Sequence, residues 1–142
     1  MGKINSINIS THKWPKIATI MVVDDDDNWC FISKKLLAKV GFKNEILVAR
    51  NGLEAFKKLQ DLAAQNEKLP DLILLDIKMP VMNGFEFLEA VTESAELDLS
   101  NTKIYVCSSS VHPKDKEKAN FYAISGFITK PLTQETLEEI LT

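Results

Sequence analysis

A parallel α/β sheet covered by helices on both faces is the fold class this sequence predicts, and three observations predict it. Strand-length apolar runs alternate with longer segments of helical spacing, five times in succession. The runs are apolar nearly throughout instead of alternating with polar residues, as strands buried on two faces are. Finally, 142 residues give room for one core and its covering layers, and no second domain of ordinary size.

The first run, Ile17 to Val23, precedes a helix whose apolar positions are Ile32, Leu36 and Val40. The second, Glu45 to Ala49, leads into a helix carrying Leu53, Phe56, Leu59 and Ala63, with Asn51 three residues ahead of Glu54 as a capping pair. Leu72 to Leu75 is the third run. Its helix carries Phe85, Leu88 and Val91 and repeats the capping pair with Asn83 and Glu86. The fourth run, Lys103 to Cys107, is followed by Pro113, which suits the first turn of a helix over Lys114 to Ala123. The fifth and weakest, Gly126 to Ile128, precedes a helix with Leu137, Ile140 and Leu141. Right-handed crossovers then leave a doubly wound sheet as the natural topology. Residues 1–16 stand outside this scheme as an N-terminal extension, with Trp14 as the side chain to pack it on the domain formed by 17–142.

Composition excludes several function classes. Apolar residues at 45% and charged ones at 26%, with 5 Gly and 5 Pro, are those of a globular chain, not a disordered or collagenous one. Seventeen Lys and Arg against 20 Asp and Glu leave a net charge of -3, so nucleic acid is not an expected partner. Cys30 and Cys107 lie in apolar stretches and read as reduced core residues, since two thiols make neither a disulfide scaffold nor a four-Cys zinc site. No segment approaches the ~20 apolar residues of a membrane span, and a cytoplasmic chain is expected. His12 and His112 have no partner at ligand spacing, which points to surface or capping roles.

In open parallel sheets functional groups collect at the carboxyl ends of strands. Here those ends carry Asp24 to Asp27, then Asp76, then Ser108 to Ser110, then Thr129, Lys130 and Pro131. Helix capping and solvation account for one or two of the four consecutive acids. They do not account for Asp76 and Lys130 at two other strand ends. Clustered carboxylates repel one another unless a cation is present, and oxygen ligands from Asp24, Asp25 and Asp76 suit Mg2+. A carboxylate beside such an ion can attack phosphorus to give an acyl phosphate, which makes Asp76 the candidate nucleophile. Lys130 can hold a phosphate oxygen, and Ser108 can donate to one.

The run Val22-Val23-Asp24-Asp25-Asp26, the segment PDLILLDIKMPVMNG from Pro70 to Gly84, the stretch IYVCSSS and the dipeptide Lys130-Pro131 resemble the receiver domain of two-component response regulators, in the stand-alone form typified by chemotaxis regulators. The resemblance covers about residues 17 to 142. It implies a flavodoxin-like sheet of order 2-1-3-4-5 and a phospho-accepting signalling switch that is not an enzyme, although it assists its own phosphorylation and dephosphorylation. Asp76 would take the phosphoryl group from a phosphohistidine on a histidine kinase or histidine phosphotransfer protein. Asp25 and Asp76 would bind Mg2+ directly, Asp24 mostly through water, and Lys78 through its backbone carbonyl. Lys130 would contact the phosphoryl group, with a cis bond to Pro131.

By the same resemblance Ser108 would be the switch hydroxyl and Phe127 the ring that turns inward behind it. Twenty-two positions separate Ser108 from Lys130, in keeping with the family's interval, although three serines in a row leave a one-residue ambiguity. The face made by the fourth helix, fifth strand and fifth helix would then relay the signal to a partner, by a monomer or a phosphorylation-dependent dimer. Phe127 lacks the phenol that Tyr would offer, and Ser109 stands where Ala is frequent. Two alternatives remain. One is a receiver-like binding module that acts without phosphorylation. The other is a small phosphohydrolase of the haloacid-dehalogenase type using Asp24 and Asp26, for which the sequence directly after Lys130 lacks the acidic pair such enzymes use.

Overall fold

The structure, a computed structural model, describes Trp14 and residues 16–109 and 112–142. Strands β1 Thr19–Val23, β2 Glu45–Ala49, β3 Leu72–Asp76, β4 Lys103–Ser108 and β5 Gly126–Thr129 alternate with helices α1 Asp27–Lys39, α2 Gly52–Ala64, α3 Gly84–Glu93, α4 Pro113–Ala119 and α5 Gln134–Leu141. The strands form one parallel sheet of order β2-β1-β3-β4-β5, the doubly wound arrangement expected.

Side-chain alternation along these strands divides the core into two layers. Met21, Val23, Ile73, Leu75, Ile104 and Val106 point to one face and meet α2, α3 and Ala119 of α4. Ile20, Val22, Leu72, Leu74, Cys107 and Ile128 point to the other and meet α1 and α5. The Asn83 and Glu86 pair closes a full capping box at α3, and Asn51 makes the forward bond to the Glu54 amide at α2. His112 caps α4 through Nδ1, whereas His12 lies outside the described residues.

Two local expectations need correction. The buried stripe of α1 is Trp29, Cys30, Ser33 and Leu37, while Ile32 is 47% exposed and Phe31 60%. Asp26 accepts hydrogen bonds from the Asn28 and Trp29 amides and so sets where the helix starts. That phase puts Ile32 about 100° off the core direction. Similarly, α4 ends at Ala119, not Ala123. Its last amides turn, Tyr122 N–H bonds Ala119 O, and Tyr122 packs on the α2–α3 core, which frees the chain to enter β5 through Ser125 N–H to Ile104 O. Trp14 does pack on the domain: its Nε1 donates to Val40 O at 2.9 Å. Of the extension, residues 1–13 and 15 lie outside the described residues. No helix among the described residues is long and apolar enough to cross a membrane.

Candidate functional site

Strand register assembles the site. Val23 pairs with Leu75, so Asp24 and Asp76 follow at one level on neighbouring strands. Asp76 in turn pairs with Cys107, and Ser108 with Thr129, which brings Ser108 and Lys130 to the same sheet edge. Residues as far apart as 24 and 130 meet because parallel strands all end on this side.

The four consecutive acids divide into two pairs with different work. Asp24 is buried: its Oδ1 accepts from the Asp26 amide at 3.0 Å and its Oδ2 from Lys130 Nζ at 2.6 Å. Asp25 is exposed, and oxygens of Asp24, Asp25 and Asp76 lie within 4.8 Å of one another. Asp26 and Asp27 do not join them. Asp26 caps α1, and Asp27 pairs with Arg50. Asp26 is therefore committed to helix amides, which removes the second acid of a haloacid-dehalogenase pair.

Three carboxylates against one ammonium leave uncompensated negative charge. Burial, and then the charge of Asp24, push the Asp76 carboxyl up to about 6, against the pull of Lys130 Nζ at 3.8 Å. For Lys130, burial works against the charge, but the bond and charge of Asp24 and the charge of Asp76 outweigh it and hold the ammonium above its ordinary value. Hard oxygen donors, one of them open to water, with excess negative charge fit Mg2+ and not a thiophilic metal. Burial raises Cys30 to about 11 and Cys107 to about 12, so both are protonated core thiols at neutral pH, as expected.

The floor of the site is the loop after β3. Gly84 N–H donates to Ile77 O, and a Cβ on Gly84 would stand 2.4 Å from Asp76 O. Only glycine lets α3 start this close to the β3 end. Lys78 extends into solvent two residues past Asp76. Ser108 is buried at the end of β4 and Ser109 is exposed, while Ser110 lies outside the described residues. Phe127 is half-buried against the α2–α3 core, with Lys116 Nζ 5.9 Å from its ring centre, and the Lys130-Pro131 bond is cis. Sequence reasoning overlooked Trp29, whose ring lies 4.4 Å from Lys130 Nζ. The signal was an aromatic residue in the first helical turn directly after the acids.

The sequence pattern described as "Response regulator receiver domain" matches residues 20–142. The chain belongs to the response-regulator receiver domains. Among relatives of this receiver, the chemotaxis protein CheY of Thermotoga maritima is 32% identical over 86% of this chain and 92% of its own length. The sensor histidine kinase CheAY of Helicobacter pylori is 29% identical over 96% of this chain, which spans only 16% of that protein. A two-component response regulator from Cytophaga hutchinsonii superposes with a TM-score of 0.79 at 28% identity, over 87% of this chain and 93% of its own. The receiver is thus a phospho-accepting signalling switch of two-component systems. Receiver domains as a family bind Mg2+ in an acidic pocket, interact with histidine kinases and downstream targets, and are not classed as enzymes.

Proposed function

We propose that Asp76 is the phosphoryl acceptor of this receiver, within a unit spanning residues 17–142. A carboxylate oxygen of Asp76 attacks the phosphorus of a phosphohistidine on a kinase or phosphotransfer protein. The O–P bond forms, the P–N bond breaks, and its electron pair stays on the imidazole nitrogen. Asp25, Asp76 and the Lys78 carbonyl would hold Mg2+ directly and Asp24 mostly through water, and the bound ion would neutralise phosphoryl charge. Lys130 moves its ammonium onto a phosphoryl oxygen, and Ser108 donates its hydroxyl to another. These groups are the means by which the chain assists its own phosphorylation and dephosphorylation.

The observation that carries this reading is the meeting of Asp24, Asp25, Asp76 and Lys130 at one sheet edge, with Ser108 one residue beyond the partner of Asp76. Output passes through the face of α4, β5 and α5. Phe127 supports this route, because it lies in β5 two residues before Thr129, the partner of Ser108, and its ring faces the Lys116 ammonium of α4 at 5.9 Å.

Incubation with acetyl phosphate and Mg2+, followed by intact mass and peptide mapping, tests the assignment. A hydroxylamine-labile adduct on Asp76 that EDTA prevents is the expected result. Phosphorylation of Asp76→Asn at the wild-type rate would overturn it, and the absence of any adduct, from phosphohistidine donors included, would favour a binding module that acts without phosphorylation.

A further inference from the structure

The geometry points to Trp29 as a positioning residue for Lys130: its indole face carries the ammonium between its resting bond on Asp24 and the phosphorylated Asp76. This role rests on the acceptor reading above. Nζ of Lys130 stands 4.4 Å from the ring centroid, close enough for attraction between a cation and the negative face of an aromatic ring.

The acids that anchor the ammonium also hold the first turn of the helix that carries the ring. Asp24 Oδ2 holds Lys130 Nζ, and Asp24 Oδ1 accepts from the Asp26 amide. Asp26 Oδ1 accepts in turn from the amide of Trp29, whose ring lies against that same Nζ. The circuit closes through four residues. The backbone from which the ring projects is thus set by the same acids that hold the ammonium.

Water is largely excluded from the shared space, since Trp29 is 9% exposed and the Lys130 side chain 16%. A desolvated cation is held by an aromatic face more strongly than an exposed one. The attraction also has the right shape. Lys130 Nζ is 2.6 Å from Asp24 but 3.8 Å from Asp76, so the ammonium shifts away from its short bond as it engages groups on Asp76. A carboxylate oxygen fixes an ammonium near one point, whereas a ring face attracts across its area. The cation can slide without a stage at which it has no partner.

Trp29 also belongs to the α1–α5 core, so the test must separate ring electrostatics from volume. In the full chain, Trp29→Leu fills much of the space without a π face, and Trp29→Phe restores a smaller one. With acetyl phosphate and Mg2+, Trp29→Leu is expected to form the aspartyl phosphate about tenfold more slowly than wild type. Trp29→Phe is expected to recover most of that loss, with calorimetric Mg2+ affinity the same in all three. Independently of the reaction, Trp29 emission in a Trp14→Phe background is expected to shift when Lys130→Met removes the ammonium and keeps a stem.

Equal rates for Leu and Phe, or an emission unmoved by Lys130→Met, overturn the positioning role alone. A wild-type chain that never forms the adduct overturns the acceptor reading and takes this role with it.

Discussion

The 2.6 Å hydrogen bond from the Lys130 ammonium to Asp24 Oδ2 is what allows three carboxylates to share one sheet edge. Asp24 is buried, and an unpaired buried carboxylate is costly. Lys130→Met should therefore lower metal-free stability at neutral pH by about 2–4 kcal/mol. Millimolar Mg2+ should restore part of the loss by supplying another cation. Urea unfolding in EDTA and in Mg2+ measures both effects, and an equal loss in the two buffers would mean that lysine and metal do not answer the same charge.

Asp76 titrates in the opposite sense to an ordinary paired acid. Its folded value of about 6 lies above the 3.8 of an unperturbed Asp, because burial and then Asp24 disfavour its charge. A raised value means that the folded chain holds the proton more tightly. The associated stability is present below about pH 4 and is lost as pH rises through about 6. Metal-free Asp76→Asn should match wild type near pH 4 and exceed it by up to about 3 kcal/mol at pH 7.5. Urea midpoints for the two proteins across that range, with EDTA present, decide it.

The contrast between these acids shows how far the sequence could be read. Asp76 and Lys130 were legible because each ends an apolar strand, and parallel strands end on one side whatever separates them in the chain. Asp24 and Asp25 were set apart as metal ligands, but the cap was not legible, since nothing in four identical residues says which one the first helix will take. That choice also sets the phase of α1, so the same ambiguity concealed the buried stripe of Trp29, Cys30, Ser33 and Leu37. Phe31 and Ile32 are apolar but face outward, which blurs the periodicity by which such a stripe is recognised.

At the opposite end of the sheet, Asp71 accepts from the amides of Ala18 at 2.7 Å and Thr19 at 3.2 Å and pairs with Lys68 at 2.8 Å. Burial pushes its carboxyl upward, but the Lys68 and backbone bonds outweigh that and hold it below the usual range. Here the stability is present above the unfolded value and is lost as pH falls through the folded one. Asp71→Asn should cost about 1–2 kcal/mol at pH 7 and progressively less in acid. A cost that is constant with pH would show that the charge is not what holds β1 in place.

The loop beneath Asp76 stores backbone strain at a residue that contributes little packing. Val81 has φ 71°, a left-handed conformation that a β-branched side chain disfavours, and is 74% exposed. Met82 N–H bonds Pro80 O at 2.8 Å across it, so the tight turn and not the side chain requires that conformation. Val81→Gly should raise stability by about 0.5–1 kcal/mol, because relief of the left-handed strain exceeds the entropy glycine adds to the unfolded chain. Gly84 three residues later is the reverse case. Gly84→Ala would press a Cβ to 2.4 Å from Asp76 O and 3.0 Å from Ile77 Cα, both backbone atoms that cannot give way without moving the site. It should cost about 3 kcal/mol and also slow the reaction with acetyl phosphate. Thermal melts of the two variants give the sign of each change, and a Gly84→Ala chain as stable and reactive as wild type would show that α3 does not need to start this close to Asp76.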